Sequence, residues 1–336
     1  MLTSFLGRIS GGESLSQEEM AEVIDAVMSG RCEENEIALL LTALKAKGET
    51  AEEIAGAAQA MRRHMTPIHS RRQGIVDTCG PGGVGSNLFN ISTAAAIVTA
   101  AAGVPVAKHG NRSVTSKSGS ADVLQTLGVN ISAPAGTIER CLDELGLCFC
   151  FAQTFHPAMK HVAAVRKRLG MPTIFNLLGP LCNPAGAEFQ VMGVGRADLR
   201  DLMAGVLAKL GGQRAVVVGG DDGLGEITLS GKTEVREVTP DGIRRFSWEP
   251  KNFGLSPAGK ESLVVDGPEA SAAMIRDILI GKTGPARDIV VMNAAAALWT
   301  SGVDPSTKIC ASHAADAIDS LHAKQLLDRL VYLSRS

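Results

Sequence analysis

Residues 77–120 constrain the fold of this chain more than any other stretch of it. The apolar run Gly74-Ile75-Val76 comes just before them, and glycines follow at positions 80, 82, 83 and 85. Asn90-Ile91-Ser92-Thr93 then opens an alanine-rich run, which predicts a helix. The N-terminus of such a helix favours anions, because its first N–H groups lack partners and its dipole is positive there. We therefore predict a strand, a glycine loop and a helix start that together bind a phosphate ester.

A second polar loop follows the next apolar run, which extends from Val104 to Ala107. It contains Lys108-His109-Gly110-Asn111-Arg112 and continues into the serine-rich segment from Ser113 to Ser120. Lysine, arginine and serine side chains all donate hydrogen bonds to phosphate oxygens. Because the basic residues lie among glycines and serines between two predicted elements, we interpret this loop as part of a ligand site.

From Ile75 onward, predicted strands and helices alternate. This pattern is typical of an α/β domain with a mostly parallel central sheet and helices on its faces. The predicted strands are 74–78, 104–108, 147–152 and 214–219, with an edge hairpin at 234–238 and 244–248. The predicted helices are 92–102, 120–127, 137–144 and 158–169, followed by 270–280, 286–300 and 312–332 at the end of the chain.

The first 66 residues contain no predicted strand and indicate a small helical unit of three helices. Capping boxes at Ser16–Glu19 and Thr50–Glu53 mark the starts of two of them. We expect a helical domain made of residues 1–70 with about 157–184. The α/β domain is then made of residues 71–156 with about 185–336.

The second predicted helix carries apolar residues on more than one face. Leu39, Leu40 and Leu41 are consecutive, so they cannot all point into one core. We therefore expect the helical unit to contact a second subunit, which gives a homodimer.

Composition excludes several functional classes. The 33 basic and 35 acidic residues give a net charge of -2, which provides no general electrostatic reason to bind nucleic acid. The sequence contains no signal peptide and no apolar run long enough for a membrane span, so we expect no membrane association. The seven cysteines are odd in number and lack paired metal-site spacing, so we expect reduced thiols and a cytoplasmic location.

Several long strings of this sequence resemble those of the anthranilate phosphoribosyltransferase family, in the nucleoside-phosphorylase-like transferase group. Besides the two loops, they include His156-Pro157-Ala158-Met159, Val165-Arg166, Phe175 to Leu181 and Asn293 to Leu298. So many strings in the family's order are far more specific than one glycine-rich loop. The resemblance implies transfer of the phosphoribosyl group of 5-phosphoribosyl-1-pyrophosphate (PRPP) to the amine of anthranilate, in tryptophan biosynthesis.

The resemblance also implies two substrate sites. The implied PRPP-binding residues are Gly80, Gly82, Gly83, Val84, Gly85, Leu88, Asn90, Ile91, Ser92, Thr93, Lys108, His109, Gly110, Asn111, Arg112, Ser113, Ser116 and Ser120. The implied anthranilate-binding residues are Gly80, His109, Asn111, His156, Arg166 and Pro180. Arg166 would face the carboxylate of anthranilate, because a guanidinium offers it two parallel donors. No residue is assigned as acid, base or nucleophile, since the reaction depends on leaving-group stabilisation and alignment of the amine.

The resemblance further implies Mg²⁺, with Ser92 and Glu226 as ligands. The family usually carries Asp at the position of Gly225, so a carboxylate ligand is lost in this chain. It also usually carries Asp in place of Val84, and Thr in place of Pro81 and Leu88. Because the phosphates of the substrate and retained waters also bind Mg²⁺, we expect a requirement for higher magnesium concentrations rather than inactivity.

Two alternatives stay open at this point. One is a pyrimidine nucleoside phosphorylase-like enzyme of the same fold, against which the Lys108–Arg112 string and Arg166 favour the transferase. The other is a catalytically silent or weakly active relative with a nucleic-acid-binding or regulatory role. The lost acidic residues favour that second alternative, while the near-neutral charge and the retained Asn90 and Ser92 oppose it.

Overall fold

A computed structural model describes residues 2–80, 87–113 and 117–336. Gly82, Gly83, Val84, Gly85 and Ser116 of the predicted PRPP site, and Pro81 beside them, lie outside these residues. The strands of the described part are β1 Val76–Asp77, β2 Val106–Gly110, β3 Leu147–Phe151, β4 Phe189–Gly193, β5 Arg214–Gly220, β6 Thr233–Thr239 and β7 Gly242–Trp248.

Helices surround these strands in the described part of the chain. They are α1 Leu2–Ser10, α2 Gln17–Met28, α3 Glu34–Lys47, α4 Ala51–Arg63, α5 Ile91–Ala101, α6 Ser120–Leu127, α7 Ala135–Leu145, α8 Ala152–Phe155, α9 Lys160–Leu169, α10 Phe175–Leu178, α11 Ala197–Leu210, α12 Pro268–Leu279, α13 Pro285–Thr300, α14 Thr307–Asp319 and α15 His322–Leu333. Within the described ranges, no helix is long and apolar enough to cross a membrane.

The strands form one sheet in the order β3-β2-β1-β4-β5-β6-β7. The pairs from β3 across to β5 are parallel, and β6 and β7 are antiparallel to their neighbours. Strands β3 and β5 are nearly continuous apolar runs, as expected of parallel strands covered by helices on both faces. The predicted α/β fold with a mostly parallel sheet is therefore confirmed.

Each face of the sheet packs into a different cluster of buried apolar residues. Along β5, Val216 and Val218 belong to the cluster that contains α5 and α13, whereas Val217 belongs to the cluster that contains α2, α4 and α11. Side chains of a strand alternate between faces, so one apolar strand supplies both clusters. The second cluster is continuous with the interior of the four N-terminal helices.

The N-terminal helices begin where the sequence predicts. The side chains of Ser16 and Thr50 accept hydrogen bonds from the backbone N–H groups of Glu19 and Glu53. The two glutamate side chains in turn accept hydrogen bonds from the backbone N–H groups of Ser16 and Thr50. Gly56 allows α4 to lie directly against α2, because a Cβ atom there would overlap the carbonyl oxygen of Gln17. The predicted capping boxes are present at both positions.

The structure also corrects the sequence-based secondary structure. Helix α1, strand β4 and helix α11 were not predicted, and the single helix expected at 312–332 is two helices, α14 and α15. The break between them is at Leu321, whose φ of 63° is left-handed and stops the helical path. Strand β4 is short and contains Gln190, which hides its apolar pattern in the sequence.

Candidate active site

The sheet order reverses between β1 and β4. The chain passes from β1 outward to β2 and β3, and then returns to add β4 on the other side of β1. In open parallel sheets of this kind, ligands bind in the crevice at the carboxyl ends of the two strands on either side of the reversal. Here the carboxyl end of β1 leads to Gly80, and β4 ends at Gly193.

A cavity of about 100 Å³ lies at this place. Its lining combines residues that follow β1, residues of α5 and β4, and the loop after β5: Thr78, Gly80, Ser92, Ala95, Val191, Gly193, Gly225, Glu226 and Asn293. One side is built largely from main chain, since a Cβ atom at Gly80 would overlap the carbonyl of Gly193, and one at Gly193 would overlap the carbonyl of Gly225. The glycines therefore let three backbone segments approach one another closely.

Lys108 is a buried cation beside this cavity. Its ammonium group donates to the hydroxyl oxygen of Thr78 (3.3 Å), to the Thr78 carbonyl (3.4 Å) and to the hydroxyl oxygen of Ser92 (3.4 Å). The side chain leaves β2 toward the N-terminus of α5, where the helix dipole is also positive. The positive charge and the hydroxyl groups make this corner suited to an anionic group such as a phosphate.

Glu226 lines the same cavity from the loop after β5. Burial raises the pKa of its carboxyl group to about 7, and the ammonium of Lys108 partly opposes that rise. The loop is held by Asp222, which accepts hydrogen bonds from the Leu224 N–H (3.1 Å) and from the hydroxyls of Thr228 (2.9 Å) and Ser230 (2.6 Å). One cation and one carboxylate thus face a cavity at the sheet reversal.

Comparison with known proteins decides the family. Residues 72–324 match the model of the "Glycosyl transferase family, a/b domain", and residues 3–65 match that of the "Glycosyl transferase family, helical bundle domain". The anthranilate phosphoribosyltransferase of Rhodopirellula baltica is 47% identical over 320 residues, which covers 95% of this chain and 94% of that protein. The chain belongs to the anthranilate phosphoribosyltransferase family.

Solved structures of that family superpose closely on this chain. The anthranilate phosphoribosyltransferase of Thermus thermophilus has a TM-score of 0.92 at 43% identity and covers 98% of this chain and 99% of its own. The enzyme of Saccharomyces cerevisiae, in complex with PRPP and Mg, has a TM-score of 0.90 at 29% identity and covers 99% and 98%. Another structure of the yeast enzyme holds 4-fluoroanthranilate, with a TM-score of 0.88 at 28% identity and the same coverage.

At the start of α5, the four residues Asn90-Ile91-Ser92-Thr93 have different surroundings. The side chain of Asn90 is fully engaged, because it donates to the Ser118 carbonyl (3.1 Å) and accepts from the hydroxyls of Ser118 (2.7 Å) and Ser271 (2.8 Å). Ile91 and Thr93 are buried, whereas Ser92 is half-buried and lines the cavity. Asn90 thus fixes the loop, and Ser92 is the side chain of the four that reaches the cavity.

After β2, the predicted donor residues spread along a surface loop. Arg112 bonds to Asp122 (2.8 Å) and Gln125 (2.9 Å) of α6, so helix α6 holds its guanidinium. The Ser113 N–H also donates to Asp122, while Ser120 begins α6 and bonds to the carbonyl of Asn111 (3.3 Å). Gly110 ends β2, and Leu88 pairs with Val264 in an isolated bridge. The structure brings these residues near the strand ends but not into the cavity lining.

The predicted anthranilate residues include two paired histidines. The Nδ1 of His109 lies 2.9 Å from the Gly179 carbonyl, and its Nε2 lies 3.2 Å from the Nε2 of His156. Burial lowers the pKa of His109 to about 3 and that of His156 to about 4, so both rings are neutral near pH 7. Pro180 is buried in the turn beside Gly179, so it lies close to this uncharged histidine pair.

Arg166 differs from its basic neighbours on α9. Arg166 is half-buried and lies over the Phe175 ring with 5.8 Å between the guanidinium carbon and the ring centre, whereas Lys167 and Arg168 are exposed. Arg168 pairs instead with Glu34 (3.0 Å). Burial lowers the pKa of Arg166, and a guanidinium in such surroundings attracts a carboxylate more strongly than one in open solvent.

Two residues that are not among the predicted site residues also shape the site. Asp222 fixes the loop that carries Glu226. The side-chain amide of Asn293 accepts a hydrogen bond from the backbone N–H of Ile227 (3.0 Å) and donates one to its carbonyl (2.9 Å). Asn293 lies on α13, 66 residues further along the chain. Only the tertiary fold brings it beside Glu226, although the family string from Asn293 to Leu298 marked the helix.

Proposed function

We propose that this protein transfers the phosphoribosyl group of PRPP to the amine of anthranilate, giving N-(5-phosphoribosyl)anthranilate and pyrophosphate. The observation that carries the proposal is the cavity at the sheet reversal, where Lys108, Ser92 and Glu226 meet in a chain of this family. The yeast relative binds PRPP and 4-fluoroanthranilate in solved structures, which supports both substrate assignments.

The reaction makes one bond and breaks another at the ribose. The amine nitrogen of anthranilate bonds to C1 and loses a proton, while the C1–O bond breaks and its electron pair leaves with pyrophosphate. Negative charge therefore grows on the leaving group, and fixed donors are most useful at that place. Lys108 and the positive end of the α5 dipole supply positive charge on the donor side.

The acceptor is proposed to lie between the two histidines and Arg166. A neutral His109–His156 pair fits an uncharged aromatic ring, and Arg166 fits the carboxylate of anthranilate. Gly80 and Asn111, at the ends of β1 and β2, complete the proposed acceptor residues. Alignment of the amine with C1 supplies much of the rate in such transfers, since little covalent catalysis is required.

Mg²⁺ is the proposed cofactor, and the residues fit it in part. Ser92 and Glu226 offer oxygen atoms to the cavity, while Gly225 offers no side chain. Mg²⁺ binds substrate phosphates with only one or two protein carboxylates, so a single carboxylate is sufficient for a weak site. When bound, the ion neutralises the charge of the pyrophosphate.

The fluorescence of anthranilate provides the primary test. We expect it to disappear when PRPP and magnesium are added, and Arg166→Ala to raise the KM for anthranilate by about 10-fold or more, as for the loss of a charge-assisted bond. Arg168→Ala is the matched control, because that arginine is exposed and pairs with Glu34. The absence of turnover at every magnesium concentration would reject the proposed function.

A magnesium titration tests the partial metal site separately. A Cβ atom at Gly225 would lie 3.2 Å from the backbone nitrogen of Gly195, so a side chain fits there only after a small backbone shift; the φ of Gly225 is not left-handed. We expect Gly225→Asp to lower the magnesium concentration that gives half-maximal rate. Equal magnesium requirements in the two proteins would contradict the assignment of this loop to the metal.

We further propose a helical domain of residues 1–70 with about 157–184, beside an α/β domain of the remaining residues. The Arg168–Glu34 ion pair and the packing of α9 against the N-terminal helices support this division. A homodimer and a cytoplasmic location are proposed as well. The seven cysteines, all unpaired, are consistent with a reducing compartment.

A further inference from the structure

Asp77, Cys79 and His109 lie together at the carboxyl ends of β1 and β2. One donor atom from each residue lies within 4.8 Å of the other two. No other group of three or more such side chains reaches this closeness within residues 2–80, 87–113 and 117–336. We propose that these three residues bind a borderline-soft divalent metal ion, Zn²⁺, at a site separate from the one for Mg²⁺.

The strand register separates the two sites. Lys108 and His109 are consecutive in β2, so their side chains leave opposite faces of the sheet. Val76 pairs with Val106, which places Asp77 level with Ala107 and on the same face as His109. Lys108, bonded to Thr78 and Ser92, belongs to the face of the cavity, and the cluster belongs to the other.

Asp77 supplies an independent sign of a ligand. Its side chain has no solvent exposure, and its Oδ1 accepts the His109 N–H at 3.2 Å. By hydrogen-bond geometry its Oδ2 has no partner among the described residues, although the Asn183 amide, which donates to the Ala107 carbonyl (2.8 Å), also lies close enough to lower the pKa of Asp77. A buried carboxylate oxygen without a partner is costly, and a bound cation would compensate it.

The donor set selects the kind of metal. Carboxylate, thiolate and imidazole together are typical ligands of zinc, whereas Mg²⁺ takes oxygen ligands almost alone. Tetrahedral zinc separates its ligand atoms by about 3.3–3.8 Å, so the three donors must approach by up to about 1 Å on binding. A water molecule would supply the fourth ligand of such a site.

Binding has a defined chemical cost. The thiol of Cys79 must lose its proton to become a ligand, and burial raises its pKa, so the metal has to displace that proton. Both ring nitrogens of His109 already have partners, Gly179 and His156. Zinc therefore replaces one of those two hydrogen bonds when it binds His109.

The test is a metal titration of the full chain after treatment with a chelator. Zn²⁺ affinity is measured by competition with a chromophoric chelator, and Co²⁺ serves as a spectroscopic probe. We expect one equivalent to bind with a thiolate-to-cobalt charge-transfer band. Cys79→Ser and Asp77→Asn should each weaken Zn²⁺ binding by about 10- to 100-fold. Cys32→Ser is the control, because Cys32 is also half-buried but belongs to no such cluster in the described part.

Three outcomes would overturn the proposal. They are equal zinc affinity in wild type and Cys79→Ser, a cobalt spectrum without the thiolate band, and displacement of zinc by millimolar-scale magnesium, which would mean a shared oxygen site. Both variants conserve size, and circular dichroism confirms that each has folded before titration. The readout is binding, so it is independent of whether the transferase reaction occurs.

Discussion

At the scale of single residues, Asp77 has unfavourable surroundings for a charge. It is fully buried at the end of β1, and burial raises the pKa of its carboxyl group to about 6. The Asn183 side chain, Lys108 and the backbone N–H groups of His109 and Thr78 reduce that rise without cancelling it. Asp77 therefore titrates in the folded protein at a pH where an unfolded chain has already lost the proton.

Asp77→Asn should change the pH dependence of stability. Between about pH 4 and pH 6 the folded wild type holds a proton that the unfolded chain has released, so its free energy of unfolding falls as pH rises. The variant lacks this titration. The difference in free energy of unfolding, variant minus wild type, should therefore rise by up to about 3 kcal/mol from pH 4 to pH 6 and stay constant above pH 6.

Urea unfolding at several pH values, with a chelator present, measures this difference. Asp143→Asn is the control, because the hydroxyl of Ser70 holds the pKa of Asp143 below its usual value. That residue titrates below the window, so its difference from wild type should be level between pH 4 and pH 6. A level difference for Asp77→Asn would contradict the raised pKa.

Asp222 is expected to act by positioning the loop that carries Glu226. Asp222→Ala removes acceptors from the Leu224 N–H and from two hydroxyls, which should lower stability by roughly 1–3 kcal/mol. It should also raise the magnesium concentration for half-maximal rate, because Glu226 is no longer held. Asp221→Ala, at an exposed neighbouring position, should change neither, as measured by magnesium titration and chemical unfolding.

At the scale of elements, local chemistry explains which predictions succeed. Helices α2 and α4 were predicted because Ser16 and Thr50 satisfy backbone N–H groups within their own segments. Strand β4 was missed because its pairing depends on β1 and β5, which are distant in sequence. The donor loops were recognised as strings, whereas the role of Asn293 depends on a tertiary contact with Ile227 that no local pattern contains.

Glu53 joins a helix cap to a buried ion pair. Its carboxylate accepts from the Leu15 N–H (3.0 Å), the Thr50 N–H (2.9 Å) and the ammonium of Lys47 (2.8 Å), with no solvent exposure. Glu53→Gln leaves the Lys47 charge buried without a counter-charge, so the free energy of unfolding should fall by about 3–5 kcal/mol. Glu52→Gln, an exposed partner of Lys209, should cost less than about 1 kcal/mol in the same unfolding experiment.

At the scale of the whole molecule, the sheet separates two hydrophobic cores, one on each of its faces. One cluster extends from the N-terminal helices through α11 to β4 and β5, and the other fills the space under α5, α13 and α15. The cavity lies where the sheet order reverses, with Val191 from one cluster in its lining. Composition and periodicity predicted the layers, but the reversal became visible only with the strand order.

The proposed dimer depends on the outer face of α3. Leu39 is 61% exposed there, while Leu40 and Leu41 are buried, so an apolar side chain faces away from the core. We expect a dimer in size-exclusion chromatography with light scattering, and Leu39→Glu should shift it toward monomer. Tyr332→Glu, at a position 76% exposed on α15, is the control and should leave the dimer intact. A monomeric wild type would contradict the proposed dimer.

The backbone contacts of Gly80, Gly193 and Gly225 also determine which variants of this protein can exist. Even alanine would collide with main chain at positions 80 and 193, so a saturation library should return glycine alone at both. Position 225 needs only a small shift of the Gly195 backbone to take a Cβ atom, and a single base change converts a glycine codon to one for an acidic residue. A second cavity carboxylate is therefore one mutational step away, so selection under scarce magnesium should recover it at position 225.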